Sequence, residues 1–327
     1  MEVAGIGTVA VAGAALAACA GVLAPVVGRA WLSRVAVTGL AIGTSLAVAA
    51  LSWALVTSDF TLAYVAGYTS REASWPYRLA ALWAGMEGSL LFWVWVLAGY
   101  VVVGRRSLVR HVPALAPAAV AVLCAVALVP LGCVLVLAEP FARLAAPALD
   151  GGGLTPVLRH PAMLYHPPLL YLGQVGLAVP FAIAVAGLAG GGLTGAWRAL
   201  VRRWVLWSWL VLTVAVVAGA HWAYVEVGWG GYWGWDPVEN ASLLPWLAAA
   251  AFLHAPRRSA RWAAATAIGA FLLAFFGAYL SRSGSTGSVH AFAEAEAVGW
   301  VWLAALGVIA AGAGTALVWR RPPRAGP

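Results

Sequence analysis

The chain has 327 residues, 63% of them hydrophobic and only 9% charged, whereas soluble domains average roughly 45–50% apolar and about 25% charged residues. A water-soluble surface cannot be covered with so few charges, which excludes a soluble globular fold. The formal charge of +8 comes from 19 basic residues, all arginine, placed in small clusters between apolar runs. That is the pattern by which a multispanning membrane protein sets its orientation, not the pattern of a nucleic-acid binder.

A hydrocarbon core of ~30 Å needs about 20 apolar helical residues. Nine runs qualify, near 3–28, 35–58, 79–103, 113–138, 167–190, 204–225, 237–255, 263–281 and 298–319. They are continuously apolar rather than alternating, which speaks against a β-barrel. The expected fold is an all-α polytopic helix bundle, one membrane domain over residues 1–327, with no internal repeat. Met1-Glu2 supplies no basic n-region, so the first run is read as a span and not as a signal peptide.

With the N-terminus outside and the C-terminus cytoplasmic, 14 arginines fall inside: Arg29, Arg34, Arg105, Arg106, Arg110, Arg198, Arg202, Arg203, Arg257, Arg258, Arg261, Arg320, Arg321 and Arg324. Five fall outside, namely Arg71, Arg78, Arg143, Arg159 and Arg282. Inner connections are short, about 5–13 residues, and read as plain links. The outer stretches 59–78, 139–166, 226–236 and 282–297 carry aromatics, glycines and histidines, so the chemistry is expected on the outside.

Cys19, Cys124 and Cys133 lie in apolar spans and read as small buried hydrophobes. There is no Cys-x-x-Cys pair, no Cys-x-x-Cys-His, and no phosphate-cradling loop with a Walker-type lysine, so the chain carries neither a thiol couple nor an ATPase site.

The densest motif is the outer loop Val227-Gly228-Trp229-Gly230-Gly231-Tyr232-Trp233-Gly234-Trp235-Asp236-Pro237-Val238-Glu239-Asn240. Residues 228–235 hold four aromatics and four glycines. Glycine lets backbone approach a flat partner, and indoles offer rigid, broad faces. An interfacial aromatic belt accounts for Trp204, Trp207, Trp300 and Trp302, but not for Trp and Gly alternating beyond a helix end. The loop is therefore read as a platform for a large planar ligand. Asp236, Pro237 and Glu239 also read as a helix start with a capping box, and Pro245 as a kink within the following span.

Six histidines sort by depth. His166 opens the fifth span and His290 lies in the outer loop Ser288–Ala293, both on the side of the tryptophan loop. Two imidazoles flanking an aromatic platform suit a bis-histidine haem, although either alone reads as a polar loop residue. His254 falls 18 residues after Asp236, or ~27 Å along a helix, near the cytoplasmic end. His221, near the outer end of its span, differs from it in depth by ~20 Å, so the two cannot share one iron. His160 reads as a spare neighbour of His166, and His111 as a solvated inner-loop residue. Glu87 is the one acid placed deep inside a predicted span, an intramembrane polar site that is protonated, paired or lining a polar cavity.

These residues carry a family resemblance. The chain resembles the CcmF-type cytochrome c haem lyase subunit, within the haem-handling superfamily that includes CcsA and CcmC. The matching stretches are Trp83-Ala84-Gly85-Met86-Glu87-Gly88-Ser89-Leu90-Leu91, His166-Pro167-Pro168-Leu169-Leu170-Tyr171, the WWD-type loop from Trp229 to Trp246, and Arg282-Ser283-Gly284 through His290-Ala291-Phe292-Ala293. The Pro-Val-Glu-Asn-Ala-Ser tail after Trp235-Asp236 looks like CcmF rather than CcsA. The resemblance implies that His166 and His290 are the periplasmic axial ligands of haem, held against the platform Trp229, Gly230, Gly231, Tyr232, Trp233, Gly234, Trp235, Asp236, Pro237, Glu239 and Asn240. It implies that His254 binds a transmembrane b-type haem, so that haem b is both substrate and bound cofactor. The expected activity is thioether attachment of haem to the Cys-x-x-Cys-His of apocytochrome c, as a haem lyase subunit in the inner (plasma) membrane with its active face periplasmic. Expected partners are apocytochrome c, a haem chaperone and other maturation subunits, including a second chain that supplies the half absent from this sequence, since family members are usually about twice as long. His221 stands where the family usually has no histidine. The competing expectation is a CcsA-like haem carrier that presents haem without forming bonds.

Overall fold

A computed structural model describes residues 2–226, 228, 230–255, 259–288, 290 and 295–318. Among them there is no β-strand, and a single isolated bridge joins Leu62 to Arg143. Twelve α-helices follow in order: α1 Val3–Val27, α2 Ala30–Thr57, α3 Ala63–Tyr68, α4 Trp75–Ala80, α5 Met86–His111, α6 Ala116–Cys133, α7 His166–Gly176, α8 Ala178–Gly190, α9 Gly195–Glu226, α10 Pro237–Leu253, α11 Ala260–Leu280 and α12 Glu296–Val318.

Among the described residues, eight helical segments are long and apolar enough to cross a membrane. The predicted seventh span corresponds to α10, which has 17 residues. It reaches roughly 25 Å, at the lower limit for a span. Because α10 packs along both α9 and α11, it belongs to the same bundle as the longer helices.

Small residues bring the helices together. A side chain at Gly43 would place its Cβ 2.7 Å from the Ala10 carbonyl and 2.9 Å from the Ala14 methyl, so α1 and α2 meet nearly backbone to backbone. Cys124 fills the space left by Gly21 between α6 and α1. Cys124 and Cys133 are buried, Cys19 is exposed, and all three are free thiols.

Two predicted spans break where the sequence pattern ran continuously. The third, expected at 79–103, begins its long helix only at Met86. Before it come α4, a 3-10 turn over Ala81–Trp83 and an extended Gly85 (φ −117°, ψ 174°). Tyr64 stabilises the break: its hydroxyl donates to the Ala81 carbonyl (2.7 Å) and accepts from the Gly85 amide (3.1 Å). A Cβ at Gly88 would lie 2.2 Å from the Leu82 carbonyl oxygen, so the reversal needs glycine there. Glu87 consequently sits in the first turn of α5 rather than deep within a span, which corrects its expected position. The fifth run divides at Leu177 into α7 and α8. Pro180 lacks the amide that would bond the Gly176 carbonyl, and the ladder breaks there.

The connection 139–166 folds back over the bundle. Backbone bonds from Ala63 to Ala142, Leu144 to Thr61, Ala148 to Phe60 and Gly152 to Ala66 lay it against the α2–α3 turn and α3. Arg143 pairs with Glu2, and Asp150 accepts from the Arg71 amide (2.9 Å). This layer caps the end of the bundle that carries the tryptophan loop.

Candidate functional site

The site draws on three segments: the start of α7, the loop leading into α10, and residues 281–290 after α11. His166 is the first residue of α7, followed by two prolines whose fixed φ suits a first helical turn. Its Nδ1 lies 2.9 Å from the Ala215 carbonyl of α9. A carbonyl only accepts, so Nδ1 carries the proton and Nε2 of the neutral ring presents a lone pair. Trp222 abuts the ring edge-on at a centroid distance of 5.8 Å.

Space for that ring is made by Gly219, where a Cβ would fall 2.5 Å from His166 Cε1. Gly219→Ala is therefore expected to cost about 1–3 kcal/mol in packing strain and to push the imidazole off Ala215. Haem titration followed by absorbance should show weaker binding with the helical circular dichroism intact.

His290 is oriented by Asp236. Its Nδ1 is 3.2 Å from Asp236 Oδ1, and its amide donates to Ser288 Oγ (2.9 Å), whose hydroxyl donates to the same carboxylate oxygen (2.7 Å). That oxygen also accepts from the amides of Val238 (2.8 Å) and Glu239 (3.3 Å), while Glu239 Oε2 accepts from the Asp236 and Gly234 amides. The predicted capping box is thus present, and the carboxylate that caps α10 is also the partner of His290. Burial works against the charge of Asp236. The Ser288 hydroxyl, the Val238 amide, His290 and the Glu239 amide outweigh it and hold the carboxyl below its usual range.

His166 and His290 approach within electrostatic range of each other. Each has Nδ1 engaged, one by a carbonyl and one by a carboxylate, leaving Nε2 as the atom presented. Metal-bound histidines characteristically have this arrangement of their second nitrogen.

Of the predicted platform, Trp229 lies outside the described residues, as do Ala291, Phe292 and Ala293 and the arginines 257, 258, 320, 321 and 324. Gly228 and Gly230 both take φ +75°, a conformation that favours glycine. Trp235, at φ +56° and 75% exposed, is held in a region non-glycine residues seldom adopt. Tyr232 is 58% exposed and stacks on Tyr224 with centroids 4.4 Å apart. Trp233 donates to Asn240 Oδ1 (3.3 Å), and Asn240 in turn donates to the Trp235 carbonyl (3.1 Å). Pro237 starts α10 and Glu239 is buried beneath the loop. The loop therefore presents Tyr232 and Trp235, with Trp233 tied down.

The other histidines do not join this pair. His160 accepts from the Ala162 amide (3.1 Å) as a helix cap and stacks against Trp222, the ring that also abuts His166. His221 is exposed on α9. His254 is the exposed C-cap of α10, at the opposite end of that helix from Asp236. Arg202 and Arg198 beside it donate to the Leu253 and Ala255 carbonyls (2.8 and 3.1 Å), complementing the helix dipole. Among the described residues no cluster of three or more His, Cys, Asp or Glu forms a metal centre.

One residue acquires a role that span counting did not reveal. Arg282, counted as an outer charge and placed at the start of a family-like stretch, is 3% exposed. Its guanidinium donates to the Ala278 carbonyl (3.2 Å) and the Tyr171 hydroxyl (3.1 Å), and lies over the Tyr171 and Trp302 rings at 6.0 and 5.4 Å. Tyr171 is five residues beyond His166, and Arg282 eight before His290, so this contact ties the two histidine-bearing segments together. Glu87 Oε2 is buried without a hydrogen-bond partner among the described residues.

Residues 83–288 match the family described as Cytochrome C assembly protein. The chain is 39% identical over 306 residues to the cytochrome c-type biogenesis protein CcmF of Pseudomonas aeruginosa, covering 90% of this chain and 46% of that protein. It is 42% identical over 254 residues to the probable cytochrome c-type biogenesis protein NrfE of Escherichia coli, covering 76% and 46%. A solved structure of cytochrome c heme lyase CcmF superposes with a TM-score of 0.79 at 32% identity, covering 97% of this chain and 51% of that one. The chain thus spans about half the length of the relatives it matches.

Proposed function

The chain belongs to the cytochrome C assembly protein family as a CcmF-type member, and from that premise we propose that it acts in cytochrome c maturation, binding haem at the tryptophan loop for covalent attachment to apocytochrome c. The observation that carries this reading is that His166 and His290 each have Nδ1 engaged, one by the Ala215 carbonyl and the other by Asp236, the residue that joins the tryptophan loop to α10, which leaves Nε2 of each ring for iron.

Haem supplies two vinyl groups, across which the apocytochrome thiols add. The protein's part is positioning. His166 and His290 are the residues that would hold haem, through Nε2, and Asp236 keeps the His290 proton on Nδ1. Tyr232 and Trp235 would pack against the bound haem and exclude water while apocytochrome c docks from the same side. Holding the reacting groups together in this way converts a bimolecular encounter into a local one. No side chain of the site is assigned as general acid or base.

The arginine-rich end of the bundle supports an inner-membrane orientation with the haem site on the periplasmic face. His254 at the other end of α10 is proposed as one ligand of a b-type haem. Its exposure leaves room for another polypeptide segment to complete the coordination. Apocytochrome c, a haem chaperone and further maturation subunits are the partners this reading requires.

The test is to co-express the chain with the maturation subunits that co-purify with it, supply haem and an apocytochrome peptide, and examine the peptide by mass spectrometry. Thioether-linked haem is expected. Haem retained on the membrane protein with no thioether product over many hours would favour the carrier reading instead.

A further inference from the structure

An apolar cavity of about 760 Å³ runs between α2, α5 and α9, with Leu172 of α7 among its lining residues, away from the haem-site segments. Along α5 it extends from Trp95 to Ser107. Twelve residues of helix span roughly 18 Å, comparable to one leaflet of a ~30 Å hydrocarbon core. It opens on the flank of the bundle: Trp95, Val103 and Trp207 are 37%, 52% and 52% exposed. Most of the polar side-chain atoms in its wall are paired, and the Trp204 indole N–H is buried without a partner among the described residues. Trp95 Nε1 donates to Ser45 Oγ (3.0 Å), Trp207 Nε1 to the Tyr100 hydroxyl (3.3 Å), and that hydroxyl to the Leu172 carbonyl (2.7 Å). A polar solute finds few partners along such a wall, whereas a hydrocarbon chain needs none.

At the arginine-rich end the groove meets Arg203. Arg198 and Arg202 on the same helix reach to α10, but Arg203 turns the other way, its Nη1 3.4 Å from His111 Nε2. Arg34 and Arg105 lie within electrostatic range of each other at the adjoining ends of α2 and α5. None of the 11 acidic residues of the chain occurs in the connections at this end, 28–34, 104–115, 189–203, 254–262 or 319–327. Arg203, the cation in the groove wall, therefore has no carboxylate of its own chain within these connections, and a guanidinium is well matched to phosphate.

We propose that this groove binds a phospholipid with an anionic headgroup, its acyl chain along α5 and its phosphate at Arg203. The inference stands independently of the haem reading.

The test is native mass spectrometry of the full chain in detergent, titrated with phosphatidylglycerol or phosphatidylcholine of identical chains. Wild type is expected to retain phosphatidylglycerol in preference to phosphatidylcholine. Arg203→Gln should weaken that retention about tenfold, with Arg203→Lys restoring much of it and Arg110→Gln, outside the groove, leaving it unchanged. A Cβ at Gly99 meets nothing within 4 Å, so Gly99→Leu plugs the groove without a native clash and should abolish retention of both lipids. Equal retention of the two lipids, retention unaffected by Arg203→Gln or Gly99→Leu, or a polypeptide occupying the groove in place of lipid would overturn the proposal.

Discussion

Replacing His166 or His290 by alanine is expected to abolish holocytochrome c formation, a loss of about 100-fold or more, because attachment depends on a held haem geometry that neither imidazole maintains alone. The two rings come from segments 124 residues apart and converge through different supports, Ala215 for one and Asp236 for the other. Haem-stained gels of the secreted cytochrome and the absorbance of haem bound to the purified chain would report both steps. His160→Ala and His221→Ala supply the contrast. His160 caps a short turn and His221 is exposed on α9, so both variants should mature cytochrome near the wild-type level. Normal maturation in His166→Ala and His290→Ala would remove the assignment.

The second large effect is expected at Asp236, where one carboxylate performs two tasks that substitution separates. Asn remains a good helix cap, so Asp236→Asn should keep the cap and lose only the stability that depends on the carboxylate charge. It removes the charge that holds the His290 Nδ1 proton, and loss of such a support typically lowers metal affinity by about 10–100-fold. Asp236→Ala removes the cap as well and should cost about 1 kcal/mol of stability in addition. Haem titration alongside thermal unfolding of the two variants distinguishes orientation from capping. Equal haem affinity in wild type and Asp236→Asn would reject the orienting role.

The pH dependence follows from the same carboxyl. Because its folded value is depressed, the stability it contributes is fully present above the unfolded carboxyl value of about 3.9. That stability is lost as pH falls through the lower folded value. The loop contact is therefore expected to hold at neutral pH and to fail only under strongly acid conditions.

Membrane character, the helix bundle and the helix start after the tryptophan loop were legible in sequence because each rests on local pattern. Apolar runs of span length leave the backbone no alternative to helix in lipid. Asp236, Pro237 and Glu239 announce a helix start within four residues, and the capping box formed as expected. Helix breaks were less legible. The run through residues 79–103 is apolar throughout, yet Tyr64, from an earlier helix, hydrogen-bonds the reversal at Gly85 and moves Glu87 to a helix end. Pro180 did signal the α7–α8 break locally, but apolarity alone passed over it.

Composition and run length by themselves determined that this is a polytopic helix bundle, while span parity gave the expectation that most arginines lie at one end and His166, His290 and the tryptophan loop at the other. Tertiary structure alone decided which nitrogen of each histidine is presented, that Asp236 serves α10 and His290 at once, and that Arg282 is buried between the segments bearing the pair. The physical reason is that periodicity and parity record depth along the bundle axis. Hydrogen-bond partners such as the Ala215 carbonyl and the Tyr171 hydroxyl come from neighbouring helices, and which helices are neighbours is set by close packing of small residues, not by any repeat within one span.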